Sequence, residues 1–227
     1  MISILARPHP FPLDIARCAL LVIDVQNDFC HPEGYCLGDM GADAVTAARV
    51  RSIIPRLQRL IAWARGNHLP IIFTKEAHLP DLSDAPPAKQ LRYRNAGYPI
   101  GSLGKCGRYL IRGEWGSRVV EELAVQPEDI AIDKPAQSVF VGTDLLPLLT
   151  DRGITHLLIT GVTTQCCVLA TYRQASDLGF YPLLLEDCCA AFDPGEHQAA
   201  VAVVESEGGA VGWVGISDDI LGACVSE

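Results

Sequence analysis

Residues 160–168, TGVTTQCCV, mark the point where an apolar run gives way to a helical pattern, and a pair of cysteines stands at the change. His156–Thr160 (HLLIT) has the length and composition of a buried strand, and Gly161 interrupts it. Thr163 or Thr164 suits an N-cap, and Gln165–Leu178 can run as a helix to Gly179, a natural residue just past a helix end. A thiol in the first turn of such a helix meets the positive end of the dipole and backbone N–H groups without intrahelical partners. Both favour the nucleophilic thiolate, and the same N–H groups suit an oxyanion formed during acyl transfer. The segment reads equally as two buried cysteines packing as small hydrophobes.

Two distant residues bear on that choice. Asp24 closes the apolar run Ala19–Ile23, and Lys134 closes Asp129–Asp133 with Pro135 barring further pairing. In a parallel sheet such carboxyl ends share one edge, where ligands bind in open α/β folds. A carboxylate, an ammonium and a helix-start thiol on that edge supply a base, a charge stabiliser and a nucleophile.

Six strand-like runs alternate with helical patterns. The strands are expected at Ala19–Asp24, Pro70–Thr74, Asp129–Asp133, His156–Thr160, Tyr181–Glu186 and Ala210–Val214, short and apolar throughout as strands buried on both faces should be. Helices are expected at Ala44–Asn67, Thr143–Arg152, Gln165–Leu178 and Pro194–Glu207. This alternation predicts an α/β three-layer sandwich, a central and mostly parallel six-stranded sheet between helical layers. Residues 1–227 read as one domain, with no linker or repeat. The polar, Gly- and Pro-rich segment Glu76–Gly116 breaks the alternation and reads as a binding loop, a surface excursion or an oligomer contact.

Composition narrows the function classes. Hydrophobic residues at 49% and charged residues at 20% fit an ordinary globular protein, and a net charge of −9 opposes nucleic-acid and anionic-membrane partners. The apolar runs are too short to span a bilayer, and the N-terminus lacks the pattern of a signal peptide, so a cytoplasmic location is expected. The nine cysteines, at 18, 30, 36, 106, 166, 167, 188, 189 and 224, form no C-x-x-C and no disulfide framework. Cys188 and Cys189 lie near the same sheet edge as Asp24, where packing or support of the site are both open.

The motifs IDVQNDF (Ile23–Phe29), DKPAQSVF (Asp133–Phe140) and TGVTTQCCV together resemble the isochorismatase-like cysteine hydrolases, over about Ala19 to Val214. The resemblance implies a catalytic triad of Asp24, Lys134 and Cys167, and selects Cys167 over Cys166 because the nucleophile precedes the motif valine. It implies a cis peptide at Val162–Thr163, an oxyanion hole from the N–H groups of Thr163 and Cys167, and a homodimer or homotetramer. Neither cofactor nor metal is implied, because the loop after the second strand offers only Glu76 and His78 where nicotinamidase-like members carry an Asp and paired histidines.

Within the family, the Glu76–Gly116 segment is similar to the biuret- and triuret-hydrolysing branch. The expected activity is hydrolysis of a terminal C–N bond of a small linear urea derivative, releasing ammonia through an acyl-cysteine. Asn27 and Phe29 are expected as pocket walls, with a turn hydrogen bond or ordinary packing as the plainer readings. Glu207 stands where biuret-hydrolysing relatives carry a glutamine, and a carboxylate there suits a cationic, donor-only substrate end such as that of guanylurea. The plainer reading of Glu207 is a solvated glutamate at a helix end. Ureidoacrylate or N-carbamoyl amidohydrolysis is the alternative, with Arg92, Arg94, Arg108 or Arg112 to hold a carboxylate. A non-catalytic binding protein of the same fold and a thiol oxidoreductase using Cys166–Cys167 are readings from other classes.

Overall fold

The fold was analysed in a computed structural model, which describes residues 1–222; Cys224 lies outside the described residues. Its strands are β1 (Ile2–Ile4), β2 (Phe11–Leu13), β3 (Cys18–Ile23), β4 (Ile71–Glu76), β5 (Leu103–Gly104), β6 (Gly107–Arg108), β7 (Ile130–Lys134), β8 (His156–Val162), β9 (Tyr181–Ala190) and β10 (Trp213–Gly215). Its α-helices are α1 (Asn27–Cys30), α2 (Ala44–Arg51), α3 (Ile53–Gly66), α4 (Pro87–Asn95), α5 (Leu145–Asp151), α6 (Leu169–Asp177), α7 (Pro194–Glu205) and α8 (Ser217–Leu221).

The central sheet has six strands in the order β10-β9-β8-β3-β4-β7, and every pairing in it is parallel. Because side chains alternate along a strand, Cys18, Leu20 and Val22 of β3 enter one core while Ala19, Leu21 and Ile23 enter the other. The first core lies under α2 and α3, with Val50, Ile53, Leu57, Leu60 and Ile61. The second lies under α5, α6 and α7, with Leu145, Leu149, Tyr172, Ala175, Val201 and Val204. Two helical layers therefore enclose the sheet, which is the predicted three-layer sandwich.

From β3 the chain moves outward to β4 and β7 on one side, and β8, β9 and β10 lie on the other. The direction of winding thus reverses between β3 and β8, and the carboxyl ends of these neighbours open a crevice. Asp24 follows β3 and the cysteine pair follows β8, so both stand at that crevice.

Several boundaries differ from the sequence reading for local reasons. The single helix expected over Ala44–Asn67 is two, parted at Ser52. Pro55 cannot donate to the Arg51 carbonyl four residues back, and its ring crowds that carbonyl, so the first helix stops at Arg51. β8 does not end at Thr160 but continues through Gly161, where a register shift against β9 occurs. Gly161 has φ +114°, and a Cβ there would sit 2.0 Å from the Ile23 carbonyl oxygen, so glycine permits the close approach of β8 to β3. β9 runs four residues past the expected Glu186, and the hairpin of β1 and β2 was not anticipated. That hairpin's connection pairs Arg7 with Val214, covering the outer side of edge strand β10.

The segment Glu76–Gly116 is ordered rather than irregular. It holds the nine-residue helix α4 and the short β5–β6 hairpin, and Asp28 pins it by accepting from the Leu110 N–H at 3.0 Å. No helix among the described residues is long and apolar enough to cross a membrane.

Candidate active site

Asp24 is the first residue beyond β3 and adopts a left-handed backbone, φ +53°, which asparagine and aspartate tolerate better than other L-residues. Its N–H donates to the Thr74 carbonyl at 3.1 Å, and its Oδ1 accepts from the Thr74 hydroxyl at 2.6 Å. Those bonds aim Oδ2 at Lys134, whose Nζ lies 2.8 Å away. Lys134 ends β7 and donates also to the Ala136 carbonyl at 2.8 Å, so the ammonium is fixed between the chain turn and the carboxylate. Both side chains are fully buried.

Cys167 arrives from the other side of the crevice. The stretch Thr164–Val168 forms one wide π-turn, with the regular helix starting only at Leu169, so the expected helix over Gln165–Leu178 is irregular in its first turn. The Cys166 and Val168 N–H groups both donate to the Thr163 carbonyl. Thr163 stands just before this turn and Cys167 within it, and both line a cavity. They are the pair the resemblance named, and the Val162–Thr163 peptide is cis.

A third element brings in Glu76, the last residue of β4. Its Oε2 accepts from Cys167 Sγ at 3.3 Å and lies 3.9 Å from Lys134 Nζ. Its Oε1 is 2.6 Å from Lys89 Nζ and accepts from the Tyr93 hydroxyl at 2.6 Å. The Gln26 amide clamps the Glu76 backbone, donating to its carbonyl at 3.2 Å and accepting from its N–H at 2.9 Å. One ligand atom each from Asp24, Glu76 and Cys167 lie within 4.8 Å of one another.

The cluster holds two carboxylates and two ammonium groups, so its charges balance before the thiol ionises. Burial pushes the Asp24 carboxyl up, Lys134 opposes this, and the Glu76 charge adds to the rise; the result is above the usual carboxylate range. Burial also acts to raise Glu76, but Lys134 and Lys89 together outweigh it and hold that carboxyl at about 2. The contact with Cys166 and then burial raise the Cys167 thiol well above the ordinary range, with Lys134 opposing. The helix start and Lys134 favour a thiolate, while the Cys166 contact, burial and the two adjacent carboxylates oppose it.

Asp24, Glu76 and Cys167 are close enough together to be considered as metal ligands. The same carboxylates already bind Lys134 and Lys89 at 2.8 and 2.6 Å, so an added cation would stand beside two buried ammonium groups. His78 is turned away, with Nδ1 3.2 Å from Asp84. The donor set does not fit a metal ion.

A cavity of about 640 Å³ opens onto this cluster, lined by Glu76, Cys166, Cys167, Thr163, Phe29 and Tyr93 among others. Phe29 is therefore a wall, as expected. Asn27 is not: it is buried, and its Nδ2 donates to the Trp115 carbonyl at 3.0 Å, tying the loop down. Glu207 is not brought to the cavity either. Helix α7 starts beside it at Glu196, and its twelve residues run about 18 Å toward the opposite sheet edge, leaving Glu207 exposed there. Cys188 and Cys189 point into the two opposite cores and pack there. All eight described cysteines are free.

The residues that sequence reasoning left out of the site are Lys89 and Tyr93, and it considered Glu76 only as a metal ligand. Glu76 obeys the rule that found Asp24 and Lys134, a charged residue closing a strand. Lys89 and Tyr93 lie four residues apart on α4, within a segment whose prolines and glycines concealed a helix.

The profile of the isochorismatase domain matches residues 18–214. A cysteine hydrolase from Pseudomonas syringae pv. phaseolicola superposes with a TM-score of 0.75 at 22% identity, covering 97% of this chain and 96% of that one. An isochorismatase family protein from Desulfovibrio vulgaris gives 0.72 at 24% identity, with coverage of 91% and 99%. An N-carbamoylsarcosine amidase from Thermoplasma acidophilum gives 0.66 at 25% identity, with coverage of 89% and 97%. With the domain profile spanning both ends of the central sheet and the crevice between them, the chain belongs to the isochorismatase family.

Proposed function

We propose that the protein is an amidohydrolase that cleaves the terminal C–N bond of a small linear urea derivative of the biuret type, through an acyl-Cys167 intermediate. The observation that carries this reading is the buried Asp24–Lys134 pair converging with Glu76 on one thiol, in a cavity that Thr163 and Cys167 line. Likeness to an N-carbamoylsarcosine amidase at 25% identity supports carbamoyl chemistry.

In this reading Asp24 takes the Cys167 proton as the sulfur attacks the carbonyl carbon, and a C–S bond forms. The Thr163 and Cys167 N–H groups hold the oxygen as it gains charge, a donor typically contributing about 3–4 kcal/mol. The C–N bond then breaks and Asp24 returns the proton to nitrogen, which leaves as ammonia. Water gives Asp24 a proton, adds to the thioester carbon and displaces the sulfur, which recovers that proton. Lys134 keeps Asp24 ionised between these steps.

The case for guanylurea rested on Glu207, which is remote from the cavity, so the neutral biuret type is the substrate proposed. Arg92 supports a second reading. Of the four arginines considered for a carboxylate, it is the one lining the cavity, while Arg108 and Arg112 are engaged by Glu114 and Asp84. An N-carbamoyl acid such as ureidoacrylate would use it. Ammonia release from biuret, guanylurea, triuret, ureidoacrylate and nicotinamide tests both. Biuret preferred supports the first reading, ureidoacrylate preferred and lost in Arg92→Ala supports the second, and no release from any of them opposes amidohydrolysis.

A further inference from the structure

We propose that Glu76 is the receptor for the substrate's reacting amino group, and that it restricts the enzyme to carbonyls bearing N–H while excluding esters and carboxylates. This rests on the acyl-Cys167 reading above.

Glu76 is 1% exposed, yet it lines the cavity beside Cys167. Its two oxygens are in different situations. Oε1 is saturated by Lys89 and Tyr93, each at 2.6 Å. Oε2 is directed at the nucleophile, 3.3 Å from Cys167 Sγ, and the thiol proton is its hydrogen-bond donor there. Lys89 and Tyr93 hold the carboxylate through Oε1 and Gln26 holds the backbone behind it, so Oε2 stays aimed at the sulfur when that donor is lost.

The proton must leave for the sulfur to react, and Glu76 is the poorer of the two carboxylates to receive it. It sits between Lys89 and Lys134 and stays an anion through the neutral range, held at about 2. Asp24, raised by burial, is the better acceptor. Once the thiol proton has passed to Asp24, Oε2 is a buried carboxylate oxygen that lacks its donor, beside a sulfur joined to the carbonyl carbon. A buried charged acceptor left unsatisfied is costly. An –NH₂ group on the attacked carbon restores the bond. An alkoxy oxygen has no proton to give, and a carboxylate brings a like charge next to Glu76. The same repulsion favours departure of the acid product.

Two substrates sharing one acyl group test this: biuret, and methyl allophanate, which has a carbamoyl end and a methyl ester end. The wild-type protein should release ammonia from both, and from methyl allophanate at least a hundredfold more ammonia than methanol, although an ester is the more reactive carbonyl. Comparable methanol release overturns the proposal without recourse to any variant. In Glu76→Gln, and in Glu76→Gln combined with Lys89→Met to keep the buried charges balanced, the biuret-to-ester ratio of kcat/KM should fall at least tenfold. A ratio that does not fall, including biuret and ester turnover lost in the same proportion, also overturns it. Failure of the wild-type protein to release ammonia from any carbamoyl substrate would instead contradict the acyl-Cys167 reading.

Discussion

Asp24 and Lys134 form an ion pair of 2.8 Å between Oδ2 and Nζ, with neither side chain reaching solvent. They come from β3 and β7, strands separated by β4, so the pair also ties the ends of three neighbouring strands together. Removing one partner leaves a buried charge without compensation, which typically costs about 3–5 kcal/mol.

Lys134→Ala should therefore lower stability by roughly that amount as well as activity. Urea unfolding of the purified variant measures it. The double variant Asp24→Asn with Lys134→Met should recover part of the stability and none of the activity, separating the structural role from the chemical one.

Cys167→Ser should abolish turnover while leaving the fold intact, and Cys166→Ala should keep most of it. Both cysteines line the cavity, but Cys167 is the one whose sulfur meets Glu76. Steady-state ammonia release decides between them, and reversed phenotypes would make Cys166 the nucleophile.

The acid limb of kcat/KM should lie above the usual carboxylate range. Asp24 must be ionised to accept the thiol proton, burial and Glu76 both raise it, and activity is lost as pH falls through that raised value. Replacing Glu76 by Gln removes a raising charge, so any residual activity should have its acid limb at lower pH. An unchanged limb would show that Asp24 is not the titrating base.

The convergence of Asp24, Lys134 and the cysteine pair was legible in the sequence because each ends a strand or opens a helix, and parallel strands gather such ends on one edge; spacing alone left Cys166 and Cys167 open, and the motif resemblance selects Cys167. The Gly161 break reads as a strand terminus, but β8 continues through it, and a Cβ there would sit 2.0 Å from the Ile23 carbonyl oxygen of the neighbouring strand. Glu207 misled because motif alignment fixes a position along the chain and not a direction in space, and α7 carries it away from the edge where Glu196 stands. Lys89 and Tyr93 were not legible at all. Their role depends on the α4 backbone folding back onto β4, a long-range contact that no local period encodes.

Gly161→Ala should be strongly destabilising, because its Cβ would need the Ile23 carbonyl to move in the centre of the sheet. A drop in the thermal midpoint relative to Gly179→Ala, whose Cβ meets nothing within 4 Å, checks that the cause is the contact with the Ile23 backbone and not positive φ alone.

In the proposed mechanism Cys167 carries the acyl group. Rapid acid quenching during biuret turnover, followed by intact mass and peptide mapping, measures it directly. The account predicts an adduct on the peptide containing Cys167, equal in mass to biuret less ammonia, formed and lost at rates no slower than steady-state turnover, and absent in Cys167→Ser. Undiminished turnover in Cys167→Ser, or an adduct located on Cys166 instead, would contradict it.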